Sequence, residues 1–150
     1  TIPRISQLTL KTNQFNLTTK RYQESDIQKF SEDNRYLVGC IQVEDKFGDN
    51  GITGVFIVHK ENSKEWFIDT FLLSCRIMGR EVEKGMLGYI VNKAKENGVE
   101  QIKAQFIPSQ KNKPIEDFLP NCGFQKDGDY WFYSLKAQFT IPEYLTVSVE

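Results

Sequence analysis

Apolar and polar residues alternate from Phe15 to Thr19 and from Tyr36 to Glu44, and two more strands are read over Ile52 to His59 and Glu65 to Leu73. A period of two, carried by β-branched and aromatic side chains, predicts half-buried strands. Between the first two, Ser25 is placed to cap a short helix with Ile27 and Phe30 on its inner side. The run Asp45-Lys46-Phe47-Gly48-Asp49-Asn50-Gly51 is a turn cluster, and Lys60 to Lys64 is a polar turn. From Ile77 to Asn97 the period changes. Val82, Met86, Ile90 and Ala94 recur every four residues with Leu87 and Val91 beside them, which predicts one long helix. Asn97-Gly98 is a usual helix end. A strand over Val99 to Ile107 follows. Pro114 then opens a short helix through Phe118, bounded by Pro120. Phe124 to Phe139 reads as a hairpin about Asp127-Gly128, and Tyr144 to Val149 as a last strand. The order predicts an α+β fold: a mostly antiparallel, mixed sheet with flanking helices and one βαβ crossover over residues 65 to 107.

Composition narrows the class. The 150 residues suit a single domain, large enough to bury a core without metal or disulfide staples. Aromatics are 13% of the chain, which excludes a disordered polymer. Nineteen basic residues meet 20 acidic ones, so no net field points to nucleic acid or to a membrane surface, and any anion site is local. No apolar run is long enough to span a bilayer. Three cysteines, an odd and sparse count, read as reduced thiols of a cytoplasmic protein. One histidine, His59, falls near a hairpin turn and leaves no His-based metal site. A first residue of Thr1 suggests a piece of a longer protein.

The candidate chemistry lies where the Glu65 strand runs into the long helix, in Leu72-Leu73-Ser74-Cys75-Arg76-Ile77-Met78-Gly79-Arg80-Glu81-Val82-Glu83. The first turn of a helix has unpaired N–H groups and the positive end of the dipole, which together favour an anion. Gly79 permits close approach to the backbone, and Arg76 and Arg80 supply donors suited to phosphate. A phosphate of coenzyme A or of a phosphopantetheine arm fits that description. An ordinary helix start with an Arg80–Glu83 pair fits it too. Cys75, beside Arg76 at the helix start, has the setting that raises thiolate character and suits a transient acyl acceptor; a small packed residue is the plainer reading. Asp69 lies six residues earlier, on the same face as Cys75 if the strand is regular. Amid Trp66, Phe67, Ile68 and Phe71 it is either a general base or a structural hydrogen-bond acceptor. Lys11, Asn13, Gln14 and Asn16 form a dense polar block.

Arg76-x-x-Gly79 before a long helix and a strand, then Asn112, then Gly123-Phe124, resembles the Gcn5-related N-acetyltransferase (GNAT) fold. Longer blocks resemble the C-terminal domain of FkbH-like proteins: Lys11 to Tyr22, Asp45 to Asp49, Ser74-Cys75-Arg76 with Gly79-Arg80 and Glu83, and Pro108 with Lys111-Asn112. The likeness runs from about Arg4 to Phe124. It implies an acyl thioester, on CoA or on a carrier's phosphopantetheine, held in a splay between neighbouring strands. Leu73, Ser74, Arg76, Gly79, Arg80 and Asn112 would bind it, Cys75 and Asp69 would do the chemistry, and no metal is needed. It further implies an acyl carrier protein and an N-terminal HAD-type phosphatase domain as partners in glyceryl transfer. The alternative is a non-catalytic module that grips the arm or the carrier. A Tyr seven residues after the Asn is a frequent acid in the family. Leu119 stands there, and Glu81 replaces a small residue after Gly79, so the domain alone is expected to be a weak acetyltransferase.

Overall fold

A computed structural model describes residues 2–12, 15–45, 48–74, 82–135 and 146–149. Within them the chain forms α1 (Ile2–Lys11), β1 (Phe15–Asn16), α2 (Glu24–Glu32), β2 (Tyr36–Asp45), β3 (Gly48–His59), β4 (Glu65–Leu73) and α3 (Val82–Glu96). After these come β5 (Gln101–Ala104), a 3-10 turn (Lys113–Ile115), α4 (Phe118–Asn121), β6 (Gln125–Asp127), β7 (Tyr130–Ser134) and β8 (Thr146–Val149). Seven strands run in the order β6-β7-β5-β4-β3-β2-β8, and β1 adds to β4 from outside that path. Every pairing among them is antiparallel except β4 with β5, which α3 joins. The α+β reading with one βαβ crossover therefore stands.

Two cores hold the sheet. On one face, Phe56, Val58, Trp66, Ile68, Phe71 and Leu73 meet the apolar side of α3. The α3 residues Val82, Met86, Leu87, Ile90, Val91 and Ala94 are all fully buried, as their spacing requires. On the other face, Ile5 and Leu8 of α1 and Ile27 of α2 pack on Val38, Cys40, Val55, Ile57 and Leu72. Gly39 is what lets the Phe56 ring lie flat across β2: a Cβ there would fall 2.0 Å from Phe56 Cζ. α3 ends at a left-handed Gly98 (φ +74°), whose neighbour Val99 donates back to the Ala94 carbonyl.

Several elements differ from the sequence reading. A helix, α1, precedes the first strand, where the sequence reading placed no element. α1 mixes strong helix formers such as Arg4, Gln7 and Leu10 with weaker ones, and it buries Ile5, Ser6, Leu8 and Thr9, so packing of a face that includes weak formers and polar residues holds it. Ser25 is not the cap of α2. Gln23 is, in a reciprocal box with Asp26, whose carboxylate accepts the Gln23 N–H at 3.0 Å. The strand expected from Val99 to Ile107 is only Gln101–Ala104, and the one from Phe15 to Thr19 is only two residues of ladder. Pro120 lies inside α4 rather than stopping a helix before it. In the first turn its missing N–H costs nothing. Residues 77–81, read as the start of the long helix, lie outside the described residues.

Candidate active site at the parting of β4 and β5

β4 has different neighbours along its length. At its start, Glu65, Trp66 and Phe67 pair in parallel with Gln101, Ile102 and Lys103. The described pairing stops there, and the two strands part. The splay between neighbouring strands that the family resemblance implies is present, but among the described residues it is filled rather than open. Phe15 and Asn16 pair with Leu73 and Leu72, and the Leu17 N–H donates to the Phe71 carbonyl at 3.1 Å. From the other side, the Ile107 N–H donates to the Leu17 carbonyl at 2.8 Å. Residues 15–18 are thus a strap seated between the separated strands. All four are buried, with Phe15 edge-on to Phe118 at 5.0 Å.

Asn112 fastens this strap. Its side chain is fully buried, and its Nδ2 donates to the Asn16 and Ile107 carbonyls, both at 2.9 Å. Its Oδ1 accepts the Ser109 N–H at 2.7 Å. The amide expected to face a pantetheine arm therefore spends both donors on the chain itself. Asn16 is equally committed: Nδ2 reaches the Thr12 carbonyl and Oδ1 accepts the Thr19 N–H. Arg21 holds the end of α1 through the Thr9 and Thr12 carbonyls.

Asp69 sits at a β-bulge. Ile57 pairs with Thr70 and Val58 with Ile68, leaving Asp69 as the extra residue. The bulge turns Asp69 toward the α1–α2 side with Thr70, whose hydroxyl donates to Asp69 Oδ2 at 3.0 Å. Lys20 Nζ bonds Oδ1 at 2.8 Å and the Tyr22 hydroxyl donates to Oδ2 at 2.7 Å. Burial, and then the hydrogen bond to Asp69, push the Tyr22 phenol well above its ordinary value, so it stays a proton donor. The even spacing that put Asp69 and Cys75 on one face is broken at Asp69 itself. Lys20 and Tyr22 were not singled out from the sequence for this role. Their signal was the Lys20-Arg21-Tyr22 run that begins four residues after Asn16.

Leu73 is fully buried, with Gly54 on one edge and Phe15 on the other; Ser74 follows at the strand's end, half-buried. Cys75, Arg76, Gly79 and Arg80 lie outside the described residues, as do Asn13 and Gln14 of the polar block. Leu119 is buried in the α3-side core, and no acid occupies its place. Burial raises the Cys122 thiol to about 11, which makes it inert at neutral pH. A surface groove of about 570 Å³ runs along β6 and β7, past Gln125 and Phe132, away from the parting. Among the described residues there is no cluster of His, Cys, Asp and Glu able to hold a metal, and no helix long and apolar enough to cross a membrane.

Solved structures match this architecture at low identity. The ribosomal-protein-S18-alanine N-acetyltransferase of Escherichia coli aligns over 95% of this chain and 90% of its own, at TM-score 0.67 and 10% identity. A GNAT-family protein of Desulfovibrio desulfuricans aligns over 75% and 78%, at 0.62 and 10%. This chain has the GNAT fold. An aminoglycoside 6'-N-acetyltransferase complexed with coenzyme A shares it over 78% and 82% of the two chains, at 0.60 and 8%. No family model matches the sequence, and no curated protein does. At such identities the GNAT fold is what the neighbours establish, and activity is argued from the site. As the site stands, the described part of the parting does not accept an arm, because residues 15–18 fill it.

Proposed function

We propose that this chain binds an acyl thioester carried on phosphopantetheine, as acyl-CoA or on an acyl carrier protein, at the junction of β4 and α3. The observation that carries the reading is the parting of two parallel strands beside a helix start, on a GNAT fold. Arg76, Gly79 and Arg80 would hold the phosphate, with Leu73 and Ser74 beside it. The blocks shared with FkbH-like proteins support the finer assignment. The chain would serve glyceryl or other acyl transfer to a carrier in the cytoplasm, together with a HAD-type phosphatase domain. The chemistry proposed is thioester exchange. Cys75 thiolate attacks the thioester carbonyl, a new Sγ–acyl bond forms, the arm's carbon–sulfur bond breaks and its thiolate leaves, with no oxidant or reductant. Asp69 would take the thiol proton or, with Lys20 and Tyr22, position the acyl group.

Calorimetric titration of CoA and of holo carrier protein tests binding. Arg76→Ala and Arg80→Ala are each expected to weaken it roughly tenfold or more, since a desolvated charge-assisted bond is worth about 1.5–3 kcal/mol. Equal affinities in the three proteins would remove the anion site. Intact-protein mass spectrometry with a glyceryl carrier thioester tests the chemistry: an adduct is expected on wild type and absent from Cys75→Ser. A second reading, a non-catalytic module that grips the arm, is favoured by Leu119 in the acid's place and by the committed amide of Asn112. Binding without an adduct would select it.

A further inference from the structure

We propose that residues 15–18 form an exchangeable strand: they keep the parting of β4 and β5 shut, and an extended ligand bearing amide groups enters only as they withdraw. The identity of that ligand rests on the thioester reading above.

The strap is bonded like a ligand rather than like a sheet strand. Its ladder with β4 is two residues long. Beyond it, single bonds join Leu17 to Phe71, Leu17 to Ile107 and the Thr18 hydroxyl to the Asp69 carbonyl. Half of its buried side chains are polar: Asn16 at 0% and Thr18 at 2% exposure. They are satisfied by nearby backbone rather than by apolar packing. A strand selected only to close the core would place apolar groups there.

Strain points the same way. Thr19, at the exit of the strap, has φ +56°, the one described non-glycine residue at positive φ. A β-branched side chain disfavours this conformation strongly, and the cost persists only while the surroundings enforce it. The Asn16 carboxamide does so by accepting the Thr19 N–H at 2.9 Å. Lifting the strap releases both.

Withdrawal would free the Phe71 and Asp69 carbonyls on one side and the Ile107 N–H on the other. A phosphopantetheine arm is an extended chain with two amides. It can donate to and accept from these groups in the strap's place. Apparent affinity is then the intrinsic affinity multiplied by the fraction of molecules with the strap out. Changes that unseat the strap tighten binding, and changes that settle it weaken binding.

The test combines calorimetric titration of coenzyme A with residue-resolved amide exchange on the whole chain. In wild type, saturating CoA is expected to speed exchange at the Leu17 and Ile107 amides. Leu17→Ala, which removes a buried anchor of the strap, is expected to bind CoA about tenfold more tightly. Thr19→Gly relieves the strain and guards against a misfolded Leu17 variant; it is expected to bind roughly two- to fivefold more weakly. CoA binding with Leu17 and Ile107 protection unchanged or raised would overturn the strap proposal alone. So would unchanged or tighter binding by Thr19→Gly. If neither wild type nor folded Leu17→Ala binds CoA or holo carrier protein, the thioester reading fails and takes the strap proposal with it.

Discussion

The two edges of β4 are built by different rules. Toward β3 the ladder runs from Leu73 opposite Gly54 to Phe67 opposite His59, interrupted once at the Asp69 bulge, with Phe56, Val58, Ile68 and Phe71 filling the α3-side core. Toward β5 the ladder is three parallel pairs, followed by the strap, whose seat depends on Asn16, Thr18 and Asn112. The first edge rests on many interchangeable apolar contacts. The second rests on a few directional bonds, each of which leaves a buried partner stranded when removed. A sheet edge of the second kind is easier to rearrange than the β3 side, and the proposed thioester site lies along it.

The comparison can be broken from either edge. The largest effect is expected on the apolar one. Phe56→Ala empties a fully buried ring site that Gly39 is shaped to accept, and should cost about 3–5 kcal/mol in urea unfolding. The loss should fall on the whole domain and leave no selective change at the strap amides. Asn112→Ala comes next. It strands the Asn16 and Ile107 carbonyls and the Ser109 N–H, at roughly 2–4 kcal/mol. Its signature is local, with faster exchange at Ile107 before global unfolding. A cost below about 0.5 kcal/mol would show that the polar edge is not specified by its bonds.

Tyr22→Phe should be the smallest at neutral pH, about 1–2 kcal/mol for the bond to Asp69. Its value lies in the pH dependence. The folded phenol keeps its proton above the ordinary value of 10.0. Above that pH the unfolded chain holds fewer protons than the folded one. The stabilisation is therefore complete below about pH 10 and is lost as pH rises further. Tyr22→Phe should lose less stability between about pH 8 and pH 11 than wild type does, read as the shift in urea midpoint. Tyr89 and Tyr133, also raised by burial, keep their share in both proteins. Equal alkaline losses would mean that Tyr22 is not held against Asp69.

The apolar edge was legible in the sequence and the polar one was not. β4 occupies Glu65–Leu73 as read from its β-forming residues, and the Gly128 turn (φ +65°) joins β6 to β7 where Asp127-Gly128 stands. α3 buries the positions its four-residue repeat marks. The strand and the helix rest on side-chain preferences carried by many residues, so single exceptions do not disturb them, and the turn rests on a glycine at positive φ. α1 escaped because Ser6 and Thr9, two of its buried residues, are polar. They look like loop until Tyr22 is brought up: its carbonyl accepts the Ser6 hydroxyl at 2.7 Å and its N–H donates to Thr9 Oγ1 at 3.0 Å. The Asp69 bulge escaped because nothing local distinguishes an extra residue from a paired one.

By itself the sequence determined the fold class and the βαβ crossover. Local period, turn residues and helix-terminus chemistry are properties of neighbours along the chain. Only the tertiary structure decided that Phe15–Thr18 fills the space between β4 and β5, that Asn112 faces Asn16 from 96 residues away, and that Asp69 turns toward Lys20 and Tyr22. Those outcomes depend on which buried polar group finds which partner. That pairing is settled by packing the whole domain, because a donor on one segment has no preference among distant acceptors until the fold brings one within hydrogen-bond reach.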